Sequence, residues 1–215
     1  MYTAAKNRIK KLVVAGDETL LQGGLKGIEK ESLRVGPDGS VSLAKHPAAW
    51  GSPLTHPHIT TDYSEALTEL VTPAFADTNE VSKFLTSLHQ FLYENMPRDE
   101  LLWSASMPCA VGDDQAIPIA EYGSSNIGRM KHIYRVGLDY RYGRRMQAIA
   151  GVHFNYSVPQ DLWAVLQEEE DDAGSLRDFI DEQYFGLIRN FHRTGWLVPF
   201  LFGNLLDFGF RKLYR

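Results

Sequence analysis

Residues 148–158 alternate apolar and polar without a break. Ala148, Ala150, Val152, Phe154, Tyr156 and Val158 fall on one side of an extended chain; Ile149, Gly151, His153, Asn155 and Ser157 fall on the other. A period of two is a strand signature and cannot line up one face of a helix, whose side chains repeat about every 3.6 residues. A strand with one apolar and one mostly polar side belongs to a sheet with a core beneath it. Two further segments read the same way. GIEKESLRV at 27–35 puts Glu29 and Glu31 on one side, and EALTELV at 65–71 does so for Glu65 and Glu69 with Leu67 between them.

Helical spacing occupies other stretches. Ala5, Ile9, Leu12 and Val13 predict a helix over about 4–14, with Gly16 as its stop. Over 77–96, Asp77 and Glu80 have capping-box spacing, and Val81, Phe84, Leu85, Leu88 and Leu92 form a stripe. Leu176, Phe179, Ile180, Leu187, Ile188 and Phe191 predict a third helix over 176–193, and the acidic run Glu168–Asp172 before it reads as a solvated loop. Turn signals stand at Pro37-Asp38-Gly39 and Pro53. Irregular alternation of strands and helices predicts an α+β fold on a largely antiparallel sheet, not a doubly wound one.

Composition narrows the function classes. At 215 residues, 44% hydrophobic and 23% charged, the chain is globular and large enough for a proper core. Its 22 Lys+Arg against 27 Asp+Glu leave a net charge of −5, which offers no basic footprint for nucleic acid. The lone Cys109 excludes an internal disulfide framework and a cysteine-rich zinc site, and reads as a buried, inert thiol. No apolar run approaches the roughly 18 residues of a membrane span. The apolar stretch after the basic N-terminal patch is too short for a signal-peptide core, so a cytoplasmic location is expected.

The chemistry lies in the acidic strands. Glutamate is depleted in strands and rarely buried alone, so four glutamates in two short strands, with Asp62 nearby, ask for a compensating cation. That cation is either a protein group, with Lys30 or Arg34 pairing the acids on a wet sheet face, or a hard divalent metal. All-oxygen ligands favour Mg²⁺ or Mn²⁺ over zinc, and magnesium held by a few carboxylates usually serves nucleotide phosphates. The stretch Gly123-Ser-Ser-Asn-Ile-Gly128-Arg129 imitates a P-loop but lacks its Lys and Ser/Thr.

Several ordered blocks resemble the proteobacterial type of glutamate–cysteine ligase. They are Gly27-Ile-Glu-Lys-Glu-Ser-Leu-Arg-Val35, Ile59-Thr-Thr-Asp-Tyr-Ser-Glu-Ala-Leu-Thr-Glu-Leu-Val-Thr-Pro73 and Trp103-Ser-Ala-Ser-Met-Pro-Cys109, then Ala120-Glu-Tyr-Gly-Ser-Ser-Asn-Ile-Gly-Arg129, Tyr134-Arg-Val-Gly-Leu138, Arg141-Tyr-Gly143 and Gly151-Val-His-Phe-Asn-Tyr-Ser157. The resemblance implies a glutamine-synthetase-like antiparallel sheet, curved into a funnel and flanked by helices. It implies ATP-dependent joining of the γ-carboxylate of L-glutamate to the amine of L-cysteine, the first step of glutathione synthesis. It also implies that Glu29, Glu31, Asp62 and Glu69 serve Mg²⁺ (or Mn²⁺), with Glu65 a weaker candidate in the same motif. Tyr63, Tyr134 and Leu138 match the family's pocket for the cysteine side chain, where Phe often stands in place of Tyr63. Arg135 and His153 are expected at the nucleotide or another anion.

Members of this family are much longer. The likeness runs to Gly203, so residues 1–203 are expected to be an N-terminal portion of the catalytic domain, truncated, with 204–215 a divergent tail from a frameshift or early stop. A genuine short relative is the other reading of that tail. The expected partners are L-glutamate, L-cysteine and ATP, with no nucleic acid or membrane, and self-association through an uncovered apolar face. A non-catalytic relative, or a ligase using another amine, stays open beside the main reading.

Overall fold

The computed structural model describes residues 3–108 and 110–202, so Cys109 and the expected tail at 204–215 lie outside the described residues. The chain forms two compact units: Lys26–Asn155 is one, and the residues up to Leu25 together with those from Tyr156 onward are the other.

The Lys26–Asn155 unit is built on an antiparallel sheet. β1 (Leu25–Val35) pairs with β3 (Leu67–Val71), which pairs with β2 (Ile59–Thr61); the short β4 (Leu101–Leu102) and β5 (Val152–Ser157) also pair with β1. In the β1–β3 register Glu31 faces Glu69 and Leu33 faces Leu67. Residues two apart share a side, so one face of the sheet begins with Glu29, Glu31 and Glu69 and continues into Leu33, Val35 and Leu67. The apolar end of that face joins Tyr63, Ala66, Ile117, Ala148 and Ala150 in a buried cluster. The other face carries Ile59 and Leu70 under α2 (Thr78–Glu94), where Trp50, Leu88 and Leu92 are buried with them.

α2 matches its sequence pattern closely. Asp77 caps it through the N–H of Asn79, one position earlier than a capping box requires. α3 (Asn126–Tyr142) explains the false P-loop: Ser125 caps the helix through the N–H of Gly128, and Gly123 sits at φ +81°. A Cβ on Gly128 would lie 2.3 Å from the Tyr122 carbonyl oxygen, so only glycine lets this turn approach.

In the other unit, α1 (Thr3–Ala15) and α5 (Leu176–Thr194) follow the expected helices, α4 (Gln160–Glu169) and α6 (Leu197–Phe202) are helices not expected from the sequence, and Gly16 ends α1 at φ +82°. Leu12, Leu162, Trp163 and Phe179 are buried there, whereas Ile9, Val13, Leu187, Ile188 and Phe191, expected on packed faces, are exposed. The acidic run is the end of α4 and the turn that follows it. Among the described residues no helix is long and apolar enough to cross a membrane.

Three expectations need correction. β3 starts at Leu67, so Glu65 sits in the turn before it and does not share a strand face with Glu69. The alternation at 148–158 is a ladder only over Val152–Ser157, and its apolar side faces outward: Val152 and Phe154 are 58% and 63% exposed, while Ala148 and Ala150 are buried just before the strand. Finally, neither Lys30 nor Arg34 pairs with the strand glutamates. The Lys30 ammonium donates to the Glu31 carbonyl and Ser32 Oγ, and the fully buried Arg34 donates from Nη1 to both carboxylate oxygens of Glu100.

Candidate functional site: an acidic sheet face beside a small cavity

The sheet places like charges directly across from one another. Opposed carboxylates on neighbouring strands repel, and here burial sharpens the repulsion. Glu31 is only 6% exposed, and its pKa is raised, first by burial and then by Asp62, against the opposing N–H of Gly151. Glu69 is pushed up to about 7 by burial and by the charges of Asp62, Glu31 and Glu29. Asp62 immediately follows β2, and its charge raises the pKa of both neighbours. Among the described residues the carboxylates of Asp62 and Glu69 take no hydrogen bond and no ion pair, so the protein supplies them no cation.

The outer carboxylates are held by β5. His153 Nδ1 lies 2.9 Å from Glu29 Oε2, and Asn155 Nδ2 donates to Glu29 Oε1 at 2.9 Å. These bonds lower the Glu29 pKa, and the Glu29 contact raises that of His153. The Gly151 N–H donates to Glu31 Oε2 at 2.6 Å. A Cβ on Gly151 would come within 3.2 Å of His153 Nε2 and 3.4 Å of Glu31 Oε2, so the glycine keeps this space open. Asn155 and Gly151 were not singled out from sequence, although both lie on the polar side of the alternating strand.

Among the described residues no three His, Cys, Asp or Glu side chains are already drawn together to hold an ion. The donor set nevertheless fits a hard divalent cation. It is all oxygen plus one imidazole, surplus in negative charge, and its two innermost carboxylates are unneutralised.

Beside the acids, Asp62, Tyr63, Tyr134, Arg135, Leu138, Tyr142 and Gln147 line one cavity of about 340 Å³. The three residues expected at a cysteine pocket are thus together. Tyr63 forms the buried wall; burial pushes its hydroxyl up to about 12 and leaves it without a partner. Tyr134, 64% exposed, forms the open rim. Arg135 Nε donates to the Asp62 carbonyl and Nη1 to the Lys131 carbonyl. Arg135 and His153, expected at an anion, therefore both engage protein groups. Glu65 stands apart from the acidic set: its buried carboxylate accepts from the N–H groups of Glu121 and His46 and ties two loops together.

Comparison with known proteins gives one family. The family model for glutamate–cysteine ligase matches residues 9–206. The chain is 50% identical over 198 residues to a glutamate–cysteine ligase of Alcanivorax borkumensis, covering 92% of this chain and 38% of that protein. It is 53% identical over 178 residues to one of Hahella chejuensis, covering 83% and 34%. Among solved structures, a glutamate–cysteine ligase of Francisella tularensis in complex with AMP aligns with a TM-score of 0.79 and 39% identity, over 85% of this chain and 35% of that one. A bifunctional glutathione synthetase of Pasteurella multocida aligns with a TM-score of 0.78 and 29% identity, over 88% and 24%. The chain therefore spans well under half the length of these relatives.

Proposed function

The chain belongs to the glutamate–cysteine ligase family, and from that premise we propose that its acidic sheet face serves the ATP-dependent joining of L-glutamate to L-cysteine. The γ-phosphoryl group of ATP passes to the glutamate γ-carboxylate and ADP leaves. The cysteine amine then attacks that carbonyl, phosphate leaves, and γ-glutamylcysteine results. One observation carries the reading: Glu31 opposes Glu69 across β1 and β3, Asp62 bears on both, and among the described residues no protein cation pairs with the carboxylates of Asp62 or Glu69, while Glu31 has only the His153 imidazole at 4.0 Å. Glu29, Glu31, Asp62 and Glu69 would hold Mg²⁺ or Mn²⁺, with His153 fixing Glu29. A divalent ion bound there offsets charge on the nucleotide phosphates and the reacting carboxylate.

The cavity orients the second substrate. Tyr63 and Leu138 give it an apolar floor suited to a small side chain such as that of cysteine, and Tyr134 closes one side. Outward-facing Val152 and Phe154 support self-association of the 215-residue chain, and the soluble substrates fit a cytoplasmic setting.

Turnover is tested in a chimaera joining residues 9–202 to the remainder of the Alcanivorax borkumensis ligase. Magnesium-dependent ADP release requiring both amino acids is expected. Glu69→Gln, which keeps shape and removes a hard anionic ligand, should abolish it with the fold retained. Near-normal turnover of that variant at saturating magnesium would mean the sheet acids are not the metal site.

A further inference from the structure

Three of the four candidate metal carboxylates sit on strands, where the ladder fixes their backbone. The fourth, Asp62, stands in the turn between β2 and β3 and needs another anchor. Its N–H donates to the Leu67 carbonyl at 3.0 Å, which ties one end of the peptide. The other end is held by Tyr122. The Tyr122 hydroxyl donates to the Thr61 carbonyl at 2.7 Å and lies 3.1 Å from the Asp62 carbonyl, and Thr61 Oγ1 lies 2.9 Å from the same hydroxyl.

Tyr122 is itself rigidly placed. It is 5% exposed, its carbonyl abuts the glycine turn at Gly128, and the segment before it pairs with the Asp62 turn through Ala120 N–H to the Tyr63 carbonyl and Pro118 carbonyl to Glu65 N–H. The Arg135 guanidinium lies over the Tyr122 ring, 4.8 Å from its centroid, and Lys131 Nζ lies 5.0 Å away. That stacking delivers Arg135 Nε to the Asp62 carbonyl, so ring and hydroxyl converge on one peptide.

We propose that Tyr122 is a positioning residue. Its hydroxyl, and the Arg135 side chain stacked on its ring, clamp the Asp62 carbonyl and thereby aim the Asp62 carboxylate at Glu31 and Glu69. The inference rests on the metal reading above and adds to it a residue that touches neither metal nor substrate. Partners that orient a metal ligand from behind typically matter by about 10–100-fold in affinity.

The test is the affinity of the 215-residue chain for Mn²⁺ alone, followed by the electron paramagnetic resonance of the free ion. Tyr122→Phe keeps the ring and removes only the hydroxyl; it should weaken Mn²⁺ about tenfold or more while circular dichroism is unchanged. Arg135→Lys, which removes the Nε donor, should act in the same direction and carries the test if Tyr122→Phe does not fold. The double variant should lose less than the two single losses combined, because both act on one carbonyl. Asp62→Asn separates the two ideas. If it weakens Mn²⁺ and neither Tyr122→Phe nor Arg135→Lys does, the clamp is wrong and the metal reading stands. If Asp62→Asn leaves affinity unchanged, or the unaltered chain binds no Mn²⁺, both are wrong.

Discussion

Glu69 is the residue on which the electrostatics turn. Its pKa in the fold, about 7, is well above the ordinary 4.5, so the folded state holds a proton that the unfolded chain has already released. The sign follows: this carboxyl's contribution to stability is full below about pH 4.5 and is lost as pH rises through 7. Without metal, the chain should become less stable between those limits by about 1–3 kcal/mol relative to Glu69→Gln, which has no charge to confine. Urea unfolding of both proteins at a series of pH values checks this, and parallel curves would contradict it. The acids themselves were legible in the sequence, because glutamate on a strand is conspicuous. Their partners were not. Nothing in local spacing says that Arg34 serves Glu100, or that Glu65 binds two loop N–H groups, since both depend on segments distant in the chain.

Elements with a strong period were legible almost to their ends: 77–96 became Thr78–Glu94, and 176–193 became Leu176–Thr194. The β5 reading failed in an instructive way. Alternation establishes that a strand has two kinds of face, but only tertiary packing decides which face is covered. Here the polar face meets Glu29 and the apolar one meets solvent. The P-loop imitation at 123–129 resolves at this scale too, since its glycine and serine build a helix start against a backbone. Gly128→Ala should therefore destabilise the chain by roughly 1–3 kcal/mol through overpacking on the Tyr122 carbonyl, far more than Gly137→Ala, whose added Cβ meets nothing within 4 Å. Thermal unfolding of the two variants compares them directly. Equal melting temperatures would show that α3 can retreat without cost.

At the scale of the molecule, the antiparallel sheet with flanking helices and the family were legible from ordered blocks, and the solved relatives share the fold. What composition could not reveal is that one sheet face is divided, acidic at one end and core at the other. That division leaves Glu31 buried and Glu69 half-buried rather than fully wet, which is the setting the proposed cation site rests on. The exposed Val152 and Phe154 have a consequence of their own: Phe154→Lys should lower the weight-average mass of the chain in light scattering, and an unchanged mass would remove this strand face from any association.

The central claim is that the sheet acids together bind a divalent cation, and proton release on binding tests it most directly. A cation that occupies Glu69 must displace its proton, so Mn²⁺ titration of the 215-residue chain, by calorimetry in buffers of differing ionisation enthalpy, counts that proton. Release should approach about one proton per ion near pH 6 and fall to almost none near pH 8.5, given a carboxyl titrating at about 7, and Glu69→Gln should release none of it. Mn²⁺ binding with no proton release at either pH, or identical release from Glu69→Gln, would contradict the account.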